Sequence, residues 1–318
     1  MRMAIIQQLN FRINEQNIQT ILDMLESNTF QQEVLLDILK SYGENIALMP
    51  IKLFANQKIL RTRKNEDDVF GYIHELSYPP KEYARTDRAS IEGKPMFYAS
   101  IFTKEVEKSH AYPRIISALE TIPLLRAQGT SGQNLITQSV WMIDEEVHVY
   151  SFPLSSQYKR ACSEINMLNS DWDKVLKNEY SEDSIEFFSF IGDLMAKPNE
   201  SCLYEITATS IDFILEHFDF DGVLYPSVQA EGQGMNICIK PDVVDSKISF
   251  AGAATEVIIR SGDNSQIHIL GNTHMITEDS FEWVLTNDGK MFLQQIGLLA
   301  PVLQNKPISI RSQSLMKC

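Results

Sequence analysis

Apolar residues near the N-terminus recur at helical spacing. Ile18, Ile21, Leu22 and Leu25 fall at i, i+3, i+4 and i+7, which predicts an amphipathic helix with Asn14 as its cap. Thr29 followed by Gln32 has the form of a capping box. Val34, Leu35, Ile38 and Leu39 then make a second apolar stripe that stops before Gly43. Residues 1–48 therefore read as a helical hairpin, an appendage suited to docking or to contact with a partner.

From Ile51 the pattern changes to short strand and loop pieces. Tyr78-Pro79-Pro80 enforces extended backbone, and Gly93-Lys94-Pro95 turns into a strand at Met96–Ala99. Arg114–Leu125 places Ile115, Ala118, Leu119 and Ile122 along one side of a helix. Val140–Phe152 predicts one or two strands joined near Asp144-Glu145-Glu146, and Thr207–His217 a helix. Val223–Tyr225 and Met235–Ile239 read as strands. Beyond Lys240, Glu256–Arg260 and Gln266–Leu270 are strand-like, and Asp279–Thr286 and Gly289–Leu299 follow. These runs give an α+β chain divided as 1–48, 49–248 and 249–318, the last a small C-terminal lobe.

Composition narrows the partner classes. The 318 residues are 44% hydrophobic, enough for a sizeable core, and 28 Lys and Arg against 42 Asp and Glu give a net charge of −14. Such a balance disfavours non-specific binding to nucleic acid. Screening confines the repulsion to about 8–10 Å, so a local arginine cluster still holds a small anion. The four cysteines, at 162, 202, 238 and 318, have neither zinc-finger spacing nor the density of a disulfide scaffold. They read as reduced thiols. No run approaches the ~18 apolar residues of a membrane span, and a soluble cytoplasmic protein is expected.

His74-Glu75-Leu76-Ser77-Tyr78 begins like a zinc-protease motif, but the second histidine is replaced by tyrosine and a proline follows. Gly129–Gly132 and Gly232–Gly234 lack the spacing of phosphate-cradling loops, and Tyr225-Pro226-Ser227 is not a nucleophile elbow. What remains is a set of arginines, tyrosines, a glutamate and a serine on short elements. Guanidinium forks bind phosphates, flat rings stack on heterocycles, and a carboxylate steadies a developing cation.

These pieces, in this order, resemble the RES domain family, named for its recurrent Arg, Glu and Ser. The resemblance spans about residues 50–245. It is carried by Leu60-Arg61-Thr62-Arg63, Leu76–Pro80, Asp87-Arg88-Ala89 leading into Pro95–Ser100, Leu119-Glu120-Thr121, Asp221–Ser227 and Gly234-Met235-Asn236. It implies an ADP-ribosyltransferase-like split, curved β-sheet with flanking helices. It also implies a toxin that degrades NAD, releasing nicotinamide by hydrolysis or phosphorolysis and neutralised by an antitoxin protein. NAD is then the substrate, with no further cofactor and no metal; inorganic phosphate as acceptor and a homo-oligomer stay open.

Carried over by position, Arg61 and Arg88 take the places of the family's two arginines, Tyr98 that of its strand tyrosine, Glu120 that of the acid and Ser227 that of the serine. Arg61, Tyr98 and Glu120 would be catalytic, with Arg61, Arg88, Tyr98 and Ser227 binding substrate. Two departures stand out: Ala89-Ser90 follows Arg88 where the family has an amide, and the interval from Tyr98 to Glu120 is longer than usual. The second keeps Glu105 and Glu107 as rival acids. A transferase that modifies a macromolecule with NAD, and a non-catalytic interaction module with a decayed site, are the alternative readings.

Overall fold

The computed structural model describes residues 2–66, 69–102, 112–154, 175–198, 202–230 and 234–295. It is a mixed α+β chain of mostly antiparallel strands with flanking helices. The helices are α1 (Arg2–Ser27), α2 (Gln32–Ser41), α3 (Ile73–Leu76), α4 (Tyr112–Thr121), α5 (Pro123–Arg126), α6 (Glu182–Met195), α7 (Leu203–His217), α8 (Pro241–Lys247) and α9 (Asn287–Gln295). The strands are β1 (Met49–Leu53), β2 (Lys58–Lys64), β3 (Phe97–Ile101), β4 (Ser131–Ile143), β5 (Val147–Ser151), β6 (Gly222–Pro226), β7 (Met235–Ile239), β8 (Ile248–Ser261), β9 (Asn264–His274) and β10 (Glu282–Leu285).

The chain forms two compact units, each built from separated segments: residues 1–54, 79–97 and 146–244, and residues 55–78, 98–145 and 245–318. These units cross the chain-order division at 48 and 248. Residues 1–48 belong to the first unit together with α6 and α7, and residues 249–318 belong to the second together with β2 and β4.

In the first unit β5 lies between β1 and β6, antiparallel to the former and parallel to the latter, and β6 pairs with β7 as a hairpin. Parallel neighbours need a crossover, and the chain between β5 and β6 includes α6 and α7. The two N-terminal helices form as expected, with different caps. Asn14 is inside α1, where its amide donates to Glu186 at 2.7 Å and its oxygen accepts from the Tyr42 hydroxyl at 2.8 Å. Thr29 does not cap α2, which starts after Gln31. Gly43, at φ 56°, supplies the left-handed residue that ends α2. Tyr42 stacks on Phe187 of α6 at 4.8 Å, so the hairpin is part of the core. Ser181 caps α6 by accepting from the Ser184 amide at 3.2 Å.

In the second unit β2 pairs with both β3 and β4, β4 with β8, β8 with β9 and β9 with β10, all antiparallel. Side chains alternate between the two faces of each strand. One face carries Ile136 and Ile258 beneath Ala118 and Ile122. The other carries Leu135, Val257 and Leu270 beneath Phe292 and Leu293 of α9. Pro123 stops the predicted helix over Arg114–Leu125: α4 ends at Thr121 and a separate turn, α5, begins at the proline.

Gly192 permits the close approach of α6 to residues 152–154, because a Cβ there would collide with the Pro153 carbonyl and the Phe152 side chain. Gly192→Ala should therefore destabilise the protein by about 1–3 kcal/mol, as overpacked cores do, and lower the urea midpoint. An unchanged midpoint would mean that α6 shifts at no cost.

Candidate functional site

Arg61, Tyr98 and Glu120 belong to the second unit, and Arg88 and Ser227 to the first. Each set has its own geometry.

In the second unit the register from Lys58 to Lys64 against β4 is unbroken. Thr62 and Arg61 must therefore face opposite sides of the sheet. The Thr62 hydroxyl meets that of Ser117 on α4 at 2.7 Å, which fixes the α4 side. Arg61 points to the other side, as does Arg63, which lies 5.0 Å from the Phe70 ring centroid and donates to the Glu75 carbonyl. The Arg61 guanidinium also donates to the Tyr98 carbonyl at 2.7 Å, tying β2 to β3. Leu60 is opposite Ser100, so alternation puts the Tyr98 side chain on the α4 face.

Helical geometry then locates Glu120. At about 100° per residue, Ser117 and Thr121 share the line facing β2, and Thr121 donates to the Thr62 carbonyl at 3.3 Å. Arg114 and Ala118 lean to one flank, toward β4 and β8, where Arg114 bonds Gln138 at 2.9 Å and pairs with Glu256. Glu120 takes the opposite flank, the side of β2 on which β3 and Tyr98 lie. Glu120 and Tyr98 are both half-buried. The structure thus places Tyr98 and Glu120 on one face, with the Arg61 side chain leaving β2 from the other. The expected convergence of Arg61 and Glu120 is replaced by a bond from Arg61 to the backbone that bears Tyr98. The rival acids Glu105 and Glu107 lie outside the described residues.

In the first unit Arg88 is only 5% exposed. Its guanidinium donates to the Met195 carbonyl at 2.6 Å and to the Tyr204 hydroxyl at 3.4 Å, and lies 5.1 Å from the Tyr204 ring centroid. Met195 is in the last turn of α6, where unsatisfied carbonyls and the helix dipole favour a cation. Asp87 braces the loop by accepting from the Arg88 amide at 2.7 Å. Ser227 is fully buried and follows β6; its hydroxyl accepts from the Ala230 amide at 3.3 Å, while its amide donates to the Gly234 carbonyl at 2.9 Å. Both residues, expected on a substrate, make these bonds within their own unit.

The polar seam beneath α4 was invisible in the pattern of the chain. Gln138 donates to the Thr62 hydroxyl at 3.1 Å and to the Arg114 carbonyl at 2.8 Å. Burial lowers the Arg114 guanidinium from its ordinary value, and the Glu256 carboxylate, whose side chain is 3% exposed, is its counter-charge. Among the described residues no group of three or more His, Cys, Asp or Glu is arranged for a metal, and no helix is long and apolar enough to cross a membrane. No family model and no curated protein matches the chain.

Arg88→Ala removes the donor to Met195 and leaves that carbonyl buried. Hydrogen bonds to charged groups contribute about 1.5–3 kcal/mol, and a loss of this size should be seen in chemical denaturation. A loss under about 0.5 kcal/mol, the range of ordinary surface substitutions, would show the contact to be incidental.

Proposed function

We propose that the chain cleaves the nicotinamide N-glycosidic bond of NAD. What carries the reading is a placement that follows from strand register and helix periodicity, with Tyr98 on the α4 face of β3 and Glu120 on the flank of α4 toward β3. The order of Arg61, Tyr98, Glu120 and Ser227 along the chain, which resembles the RES domain family, supports it.

Breaking the bond gives oxocarbenium character to the ribose. The Glu120 carboxylate, held against the ribose hydroxyls, stabilises that charge where it develops. Tyr98 orients the nicotinamide ring, contributing about 0.5–1.5 kcal/mol beyond its buried area. Arg61 fixes the strand that presents Tyr98 by donating to the Tyr98 carbonyl from the other face of the sheet. Water supplies the oxygen that replaces nicotinamide at the anomeric carbon, giving ADP-ribose; phosphate in that place gives the phosphorylated sugar. Such an activity depletes a cofactor that every cell needs. A toxin restrained by an antitoxin protein, acting in the cytoplasm on an ADP-ribosyltransferase-like scaffold, completes the proposal.

A second reading, an interaction module without catalysis, draws on the inward engagement of Arg88 and Ser227.

Purified protein mixed with NAD should release nicotinamide, measured by chromatography with and without phosphate. Glu120→Gln should slow release on the order of 10²–10³-fold without changing the thermal midpoint. Absence of nicotinamide under both conditions, together with no thermal shift on adding NAD, would replace the enzyme with the interaction module.

A further inference from the structure

α4 has ten residues, and a helix of that length is marginal in water unless packing holds it. The apolar contacts of Ala118 in the helix and of Ile122 just after it with Ile136 and Ile258 are non-directional and fix neither its rotation nor its position along the strand. Direction comes from Thr62. The Thr62 hydroxyl meets Ser117 Oγ at 2.7 Å and accepts from Gln138 Nε2 at 3.1 Å, and its carbonyl accepts from Thr121 Oγ1 at 3.3 Å. Gln138 in turn accepts from Arg114 Nε at 2.9 Å and donates to the Arg114 carbonyl at 2.8 Å. Thr62, Ser117 and Gln138 are all buried. A buried donor or acceptor that loses its partner is costly, so the seam penalises every other seating of the helix. Ser117 and Thr121 bracket Glu120 on the helix, three residues before it and one after.

We propose that Thr62 is a positioning residue for the reaction proposed above: it sets the rotation of α4 on β2 and thereby the place of Glu120 beside Tyr98. The inference rests on the NAD-cleaving reading for its catalytic consequence and on the seam alone for its structural one. Thr62 touches no reacting atom. Its loss misplaces Glu120 without removing it, and a misplacement near 1 Å costs about 10²-fold in rate.

The test compares Thr62→Val, of the same shape without the hydroxyl, with Thr62→Ser, which keeps the hydroxyl, and with Ser117→Ala, which removes the partner from the helix side. NAD turnover and the hydrogen exchange of the α4 amides are measured for each. Thr62→Val and Ser117→Ala should lower kcat about 10²-fold with KM within twofold, Thr62→Ser should retain near-normal kcat, and α4 exchange should rise in the first two only. Unchanged kcat in Thr62→Val, an equal loss in Thr62→Ser, or α4 exchange like that of the unmodified protein would each overturn the inference. Failure of the unmodified protein to cleave NAD would instead overturn the enzymatic reading and, with it, the catalytic part of the role. The α4 exchange then decides whether the seam seats the helix. Should Thr62→Val not fold, Ser117→Ala carries the same comparison.

Discussion

The hydroxyl pair between Thr62 and Ser117 is the constraint on which the candidate site depends. A strand offers only two directions to its side chains, so assigning Thr62 to the α4 face assigns Arg61 and Arg63 to the other. The same pair sets the rotation of α4. It sends Arg114 toward Gln138 and Glu256 on one flank and Glu120 toward β3 on the other. Without this fixed point the rotation of α4, and with it the flank that carries Glu120, would rest on apolar contacts alone.

Polar groups buried in such a seam do not add much stability. An ion pair such as Arg114–Glu256 repays little more than its own desolvation. The gain is in specificity: a short helix held only by apolar packing could slide or turn, and catalysis by electrostatic preorganisation tolerates neither. The first unit uses its buried cation differently. Arg88 donates to the Met195 carbonyl in the last turn of α6 and lies over the Tyr204 ring.

Local pattern made much of the fold legible. The helical spacing of Ile18 to Leu25 and of Val34 to Leu39, the β6–β7 hairpin and the strands beyond Lys240 all form close to where periodicity predicts them. Features set by distant partners were not legible. Arg88 looks like any loop arginine until Met195 and Tyr204, more than a hundred positions away, are placed around it. Thr62 reads as an ordinary strand threonine, since β-branched residues are common there, and Ser117 is 55 positions distant. Asn14 resembles a helix cap, yet its partners Glu186 and Tyr42 hold it in a helix interior. The two compact units cross boundaries drawn along the chain, because β4 pairs with β8 across a long intervening segment of the other unit. The candidate acid and tyrosine were legible as residues; their common face was not, because it follows from register and helix rotation together.

The most direct measurement is a double-mutant cycle on NAD turnover between Tyr98→Phe and Glu120→Asp. If the two side chains act on one substrate from one face, their effects on kcat/KM are coupled, and the double variant loses clearly less than the product of the single losses. Losses that simply multiply would mean that phenol and carboxylate act apart, and the shared site would not exist.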